Sequence, residues 1–403
     1  MIRIGIIGKT NTGKTTFFNA ATLLSAEVST YPFTTKQPNV GTAYVRTICV
    51  CKELGVKDEP RNSACLDGWR FIPIELIDLP GLIKGSWEGL GLGTQFLSVA
   101  SQADALIHVA DASGSIDADG KLTRPGLGNP ILDIYDIEEE IVSWFTKSIG
   151  KSLKSISKRV ESGKPLVESM HRSLVGLKIR LEHVEKALET TELRDKPVKK
   201  WSEKELRLFA KEIRRLSKPT VIIANKMDIA KASENLERMT EEFKGSFVVP
   251  ACSEAELALR RAEEKGFIRY VPGEEKFQVM DEGNLTKEQK WALNYVQERV
   301  LTRWVNTGIQ FAVNLCVFKL LGMNTVYPVE DPKKLSDHAG RILPDAFLIP
   351  YHATVRDLAR EIHTELAKTL LHGIDVRTGL RLPTDYVLKD RDVVSIVAAA
   401  RKK

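Results

Sequence analysis

The chain has 403 residues, 43% of them hydrophobic and 28% charged, a balance that excludes intrinsic disorder and allows a full core. Its length exceeds one ordinary core, so about two to four domains are expected. The 59 basic and 53 acidic residues leave a mild net charge of +6, and no apolar run is long enough to cross a bilayer, which excludes a helical membrane span.

An apolar strand over residues 2–7 runs directly into Gly8-Lys9-Thr10-Asn11-Thr12-Gly13-Lys14-Thr15, with a helix beginning near Lys14. Strand, glycine-bounded loop ending in Lys-Thr, then helix is the context of a phosphate-binding loop. The two glycines let successive N–H groups turn inward toward an anion, and the helix adds its positive end. Lys14 is placed to reach the β and γ phosphates, and the Thr15 hydroxyl to sit on Mg²⁺. Gly8, Lys9, Thr10, Asn11, Thr12, Gly13, Lys14, Thr15 and Thr16 therefore form the candidate phosphate-binding set of a nucleoside triphosphate site.

Downstream, Tyr31-Pro32-Phe33-Thr34-Thr35 offers a threonine for the metal, Thr35 being the candidate. Cys49, Cys51 and Cys65 follow in a segment rich in turn residues. Three thiols make part of a zinc site, but a structural site takes four ligands and no fourth stands out nearby; reduced thiols are the plainer reading. The odd total of five cysteines does not suggest a disulfide framework. A second apolar strand, residues 71–77, ends in Asp78-Leu79-Pro80-Gly81. Asp78 is expected to hold Mg²⁺ through water and the Gly81 N–H to sense the γ-phosphate. Such contacts order a segment only while that phosphate is present. The metal set is thus Thr15, Thr35 and Asp78, and the catalytic set is Lys14, Thr35, Asp78, Gly81 and Asn11.

After a strand over residues 105–110, apolar residues recur at helical spacing from Ile134 to Val160. They resume from Leu166 to Leu188 in alternating steps of four and three. Two such stripes joined at Gly163-Lys164-Pro165 predict an antiparallel coiled-coil hairpin. Separate helices lying on the nucleotide domain are the alternative. Lys196, Lys199, Lys200, Lys204, Arg207, Lys211, Arg214, Arg215 and Lys218 then crowd one helical segment. They form either a solvated helix face or an RNA-facing stripe.

The strand over residues 220–224 ends in Asn225-Lys226-Met227-Asp228. A carboxylate accepts two hydrogen bonds side by side, and guanine, unlike adenine, presents a matching N1–H and N2–H₂ pair. Asp228 is read as the guanine selector, Asn225 as a loop brace, and Lys226 as an apolar stem along the purine. GTP is therefore expected over ATP. Ala251-Cys252-Ser253 supplies the loop that encloses the base, through the Ser253 N–H. Helices near 287–304 and 308–321 follow, then a tail of strand, strand, helix and further strands.

Tyr31-Pro32-Phe33-Thr34-Thr35, Pro38-Asn39, Asp78-Leu79-Pro80-Gly81-Leu82-Ile83 and Gly89-Leu90-Gly91-Leu92-Gly93 together resemble the Obg family of translation-linked GTPases. Leu343-Pro344-Asp345-Ala346-Phe347-Leu348-Ile349 and Gly373-Ile374-Asp375-Val376-Arg377-Thr378-Gly379 resemble a TGS domain, a ubiquitin-like β-grasp module. With the helical insertion, the whole is similar to the archaeal YchF/DRG-like branch. The phosphate loop departs from the family's usual residues at Thr10 and Thr12, and Ala251-Cys252-Ser253 stands where a Ser-Ala pair is usual. The YchF group proper carries glutamate in place of Asp228 and accepts ATP.

The resemblance implies an α/β fold: a doubly wound P-loop GTPase sheet, an inserted α-helical coiled-coil hairpin and a C-terminal β-grasp TGS domain. The boundaries expected are 1–113 with 219–276 for the GTPase domain, 114–218 for the insertion, 277–321 for a connector and 322–403 for TGS. It also implies GTP hydrolysis to GDP, with Mg²⁺, by a slow switch linked to the ribosome. Ribosome or RNA would be met through the TGS domain and the basic helix 196–218. A cytoplasmic monomer with no membrane partner is expected. Ras-like enzymes orient water with glutamine just after the switch glycine, and here that position is Leu82. Either an activating partner supplies the missing function, or Asn11 holds K⁺ between the phosphates as in potassium-activated GTPases. Asn11 as a simple brace of its own loop is the third reading.

Overall fold

The computed structural model describes residues 1–22, 38–79 and 98–399. Thr35, Gly81, Leu82 and the glycine-rich run 89–93 lie outside them. The chain falls into two compact units, Met1–Ala43 with Glu75–Ala312 and Tyr44–Ile74 with Val313–Lys403.

Seven strands build the main sheet: β1 (Arg3–Ile7), β2 (Asn39–Ile48), β3 (Ala64–Leu66), β4 (Trp69–Asp78), β5 (Ala105–Asp111), β6 (Thr220–Asn225) and β7 (Val248–Pro250). Their order is β2-β4-β1-β5-β6-β7, with β3 on β4. From β4 through β7 every pairing is parallel. β5, buried along its whole length, is the apolar run of a central parallel strand. His108 within it is buried, and that burial holds it down at about 3, a neutral core residue. Parallel pairing puts the carboxyl ends of β1, β4, β5 and β6 on one edge, where an open α/β sheet binds ligands.

Five helices of the first unit bear on the site and its support. α1 (Lys14–Thr22) leaves the loop after β1, and α2 (Pro130–Glu161) opens the insertion. The Asn129 side chain caps α2, accepting from the Ile131 and Leu132 N–H groups, and Pro130 fills the first position, where no N–H is needed. α3 (Leu166–Leu174), α4 (Leu181–Thr190) and α5 (Glu203–Ser217) complete the insertion.

The expected coiled-coil hairpin is not what forms. The second arm stops at Leu174, turns through Lys178 in the left-handed region (φ 53°) and restarts as α4. The stripe Ile137, Ile141, Phe145 and Ile149 of α2 is buried with Ile7, Ile77 and Leu106 of the sheet, and Met170, Val184 and Phe209 join the same cluster. A 3-4 stripe reports one buried helix face and does not say what covers it. Here the cover is the sheet and three further helices.

The basic segment is largely committed inside the insertion. Lys196 pairs with Glu205 at 2.6 Å, Lys199 with Glu161 at 2.6 Å and Arg214 with Glu138 at 2.7 Å; Arg207 pairs with Glu139. Lys200, Lys204 and Lys211 are exposed. The solvated-face reading fits this helix better than a free RNA stripe.

After β6 come α6 (Ala232–Glu242), α7 (Ser253–Glu264) and α8 (Lys287–Val296), with a two-stranded ribbon of β8 (Ile268–Arg269) and β9 (Gln278–Val279). Leu259, Ile268, Tyr270 and Val296 share a core there.

In the second unit, β10 (Met323–Val329), β11 (Phe347–Pro350), β12 (Leu370–Asp375), β13 (Arg381–Leu382) and β14 (Val393–Ala398) form a sheet ordered β11-β10-β14-β12-β13. β10 and β14 run parallel at its centre and the other pairs are antiparallel. α9 (Val355–Ile362) buries Val355 and Leu358 against Val326, Ile349 and Val394. This mixed sheet with a helix on one face is a β-grasp. α9 ends at His363 (φ −163°), and a short α10 (Thr364–Thr369) follows directly. β12, pairing with β14, lies where only a motif had been read. Residues 55–70 belong to this unit: Asn62 exchanges two 3.0 Å hydrogen bonds with Ala346, and Arg70 donates to the Leu343 carbonyl at 2.7 Å.

Lys218, just beyond α5, is buried and donates to the Ala103 carbonyl at 2.8 Å. Burial, aided by Lys178 and Arg214 and opposed by Asp104, lowers it from 10.5 to about 7. Between those values the unfolded chain holds more protons than the folded one, so this group makes stability rise with pH through that window. Thermal denaturation should show Tm gaining more between pH 7 and pH 9 in the native chain than in Lys218→Met. Equal slopes in the two proteins would remove Lys218 from the account.

Candidate nucleotide-binding site

The phosphate loop has the backbone its glycines imply. Gly8 sits at φ +145°, where a Cβ would lie 2.3 Å from the Val109 carbonyl oxygen. Gly13 sits at φ +97°, where a Cβ would lie 2.3 Å from Asn225 Nδ2. Lys14 is buried, and its ammonium donates to the Lys9 carbonyl. Burial pushes that ammonium down to about 8, with Asp78 opposing the shift.

Thr15 Oγ1 donates to Asp78 Oδ2 at 2.9 Å, and Asn39 Nδ2 approaches the same oxygen at 3.4 Å. Burial raises the Asp78 carboxyl, against the pull of Thr15, Lys14 and Asn39. Its other oxygen, Oδ1, is buried with no hydrogen-bond partner among the described residues. An orphaned carboxylate oxygen beside a hydroxyl is the donor set of a hard divalent cation, so these residues fit Mg²⁺.

The carboxyl end of β6 meets this loop. Asn225 Nδ2 donates to the Thr12 carbonyl at 2.8 Å, while Asn225 Oδ1 accepts from the Ser253 N–H at 3.1 Å and the Ser253 hydroxyl at 3.0 Å. Lys226, at φ 66°, reaches Asp111 Oδ2 at 2.8 Å and Ser115 Oγ at 3.1 Å. The buried Asp111 carboxylate also accepts from the backbone and hydroxyls of Ser113 and Ser115. Asp228 receives the Cys252 thiol at 3.1 Å and a long contact from the Tyr295 hydroxyl at 3.5 Å. Gly13, Thr16, Asn225, Asp228, Cys252 and Glu254 line one cavity of about 230 Å³.

Three expectations change in detail. The Ser253 N–H is spent on Asn225 and is not offered to the base. The Lys9 side chain turns away from the anion cradle, its ammonium held by Asp133 at 2.6 Å and Asp136 at 3.0 Å. Burial works against that charge, but the two carboxylates more than offset it and hold Lys9 above its usual range. Asn11, at φ 61°, donates from Nδ2 to the Gly120 carbonyl at 2.9 Å, and Thr10 reaches the same oxygen at 3.2 Å. Asn11 thus acts as a brace, with Oδ1 left as its acceptor.

Asp111, Gly120, Asp133, Asp136 and Tyr295 were not singled out from sequence. Asp111 carried a signal: a carboxylate ending a central parallel strand beside β6. Tyr295 carried none.

Residues 3–139 match a family described as 50S ribosome-binding GTPase, residues 223–331 the Obg-like GTPase YGR210-like G4 motif-containing domain, and residues 340–398 the TGS domain. An uncharacterized GTP-binding protein of Methanocaldococcus jannaschii is 43% identical, with all of both chains covered. A similar protein of Schizosaccharomyces pombe is 30% identical over 90% of each chain. The crystal structure of a GTP-binding protein from Pyrococcus horikoshii superposes with a TM-score of 0.79 at 36% identity, covering 99% of this chain and 100% of that one. The chain belongs to the Obg-like, YchF-type GTPases.

In this Obg-like chain Gly13 is closed to a side chain both by its φ and by Asn225. Gly13→Ala should weaken nucleotide binding at least about 100-fold, a loss of roughly 3 kcal/mol by titration calorimetry. Near-native affinity in a folded variant would contradict the cradle described.

Proposed function

We propose that this protein binds GTP with Mg²⁺ and hydrolyses it slowly, as a switch whose target is ribosomal. The observation that carries the reading is Asp228 lining the same cavity as Gly13 and Thr16 of the phosphate loop. One cavity thus reaches from an anion cradle to a carboxylate able to pair with guanine N1–H and N2–H₂.

Lys14 and the loop N–H groups hold the β and γ phosphates, with Asn225 fixing the loop to β6. Mg²⁺ held by Thr15 and Asp78, with Thr35 as a further candidate, supplies neutralisation of phosphate charge. The Lys226 stem, pinned by Asp111, forms a flat apolar wall for the purine. At the first turn of α7 the Ser253 N–H is taken by Asn225, and the next residue, Glu254, lines the cavity with Asp228. The Glu254 N–H is therefore the proposed donor to the guanine oxygen. Water attacks the γ-phosphate and GDP and phosphate leave, with positioning and charge neutralisation as the protein's contribution.

A relative in Bacillus subtilis, 32% identical over 65% of this chain and 68% of its own length, is named a ribosome-binding ATPase. That name supports a ribosomal target and poses ATP as the rival nucleotide. Adenine has no donor pair to offer the Asp228 carboxylate, so the base gains nothing from it. Competition binding should favour GTP over ATP by at least about 100-fold, and Asp228→Asn should erase at least about tenfold of that preference. An unchanged preference in the variant would relocate the specificity.

Unstimulated turnover on the order of 10⁻³ s⁻¹ is expected, since Leu82 cannot orient water. With Asn11 occupied as a brace, rates in KCl and NaCl should agree at fixed Mg²⁺. A clear excess in KCl would instead assign its free oxygen to a monovalent cation. Cosedimentation with ribosomal subunits should be stronger under a non-hydrolysable GTP analogue than under GDP. Absent binding across a salt series would remove the ribosomal target, and equal binding under the two nucleotides would remove the switch.

A further inference from the structure

The three cysteines that lacked a fourth ligand in sequence acquire one in the fold. Cys49 follows β2, Cys51 lies in the short helix Val50–Leu54, and Cys65 lies in β3. Asp58, from the loop between them, brings its carboxylate into the same cluster. One ligand atom from each of the four lies within 4.8 Å of every other. Cys49 Sγ is 3.2 Å from Asp58 Oδ2, and Cys51 Sγ is 3.9 Å from Cys65 Sγ. A tetrahedral zinc ion with Zn–S near 2.3 Å and Zn–O near 2.1 Å needs edges of about 3.8 Å between sulfurs and about 3.6 Å between sulfur and oxygen. The two measured contacts bracket those edges.

The surroundings suit such an ion. Cys49 and Cys51 are buried, and Asp58 and Cys65 are half-buried. Three thiolates and a carboxylate around Zn²⁺ leave two negative charges, and the fully buried Arg70 is the compensating cation. Its guanidinium lies 3.2 Å from Asp58 Oδ2 and is fixed by Ser63 Oγ at 2.9 Å and the Leu343 carbonyl at 2.7 Å. The Tyr327 hydroxyl is buried next to the Cys49 sulfur and has no partner in hydrogen-bond geometry. A thiolate ligand there would give it an acceptor. Outer donors of this kind orient metal ligands and tune their basicity.

We propose that Cys49, Cys51, Cys65 and Asp58 form a structural Zn²⁺ site within the second unit. Four protein ligands close the coordination sphere, which marks a structural and not a catalytic ion. Thiolate-rich tetrahedral donors select zinc over the Mg²⁺ taken at the nucleotide site. The ion would fasten the loop 55–63, which has no regular strand or helix of its own, to the start of β3. None of the four ligands is among the residues that line the proposed nucleotide cavity.

The full chain, purified without added metal, should carry about one zinc per molecule by elemental mass spectrometry. Replacement by Co²⁺ should give thiolate-to-metal charge-transfer absorption and the visible bands of tetrahedral cobalt. Cys65→Ser and Asp58→Ala should each lower zinc retention against a chelator while keeping GTP-analogue binding, which reports that the chain is folded. Tyr327→Phe, which keeps the ring, should lower zinc affinity about 10–100-fold. Absence of zinc after dialysis against Zn²⁺, with no cobalt spectrum, would overturn the site. So would a Cys51–Cys65 disulfide in the purified chain, found by mass and thiol count.

Discussion

The side-chain amide of Asn225 is the constraint on which the nucleotide site depends. One end donates to the Thr12 carbonyl and the other accepts twice from Ser253, so three loops from β1, β6 and β7 meet at one planar group. Because the bonds use both ends of the amide, none can be lost without leaving a buried polar atom unpaired, which costs about 1–3 kcal/mol. The same amide stands where a Gly13 side chain would be. Glycine there is required twice, by φ and by the neighbour. The distance between the phosphate cradle and Asp228 is thereby set by covalent geometry and three hydrogen bonds of 2.8, 3.0 and 3.1 Å, not by side-chain packing.

The sheet explains why such an amide can reach so far along the sequence. β1, β5 and β6 are adjacent and parallel, so their carboxyl ends lie side by side although more than 200 positions separate Thr12 from Asn225. Asp111 uses the same edge: it pairs in register with Asn225 and pins Lys226 from the next strand. The purine wall and the loop brace are thus two products of one strand alignment.

What could be read in advance was local. A glycine-bounded loop after a strand and an Asn-Lys-x-Asp run each carry their geometry within a few residues, and both lie at strand ends where they were expected. The helical insertion could not be placed so directly. Its 3-4 stripe is the same whether a partner helix or a sheet covers it, and the turn at Lys178 is marked only by the isolated Gly176, which a helical pattern tolerates. Asp58 was invisible for a different reason: one carboxylate among many has no spacing signature, and only the fold brings it to the three thiols. The ties from Lys9 to Asp133 and Asp136 join residues more than 120 positions apart, and nothing in either segment announces the other.

Those ties change what the insertion is. A coiled-coil arm would report on the nucleotide only through its base. Here the first turns of α2 hold Lys9 within the phosphate loop, and the loop before α2 offers Gly120 to both Thr10 and Asn11. Lys9 and Asp133 are both buried, so exchanging that contact for water would be costly. A change in the backbone of the phosphate loop must therefore displace either α2 or the bonds to it. Since α2 shares one core with β1, β4 and the rest of the insertion, the displacement would be carried by a packed layer and not by a single side chain. Such a layer has few intermediate arrangements, and that is the property a two-state switch requires.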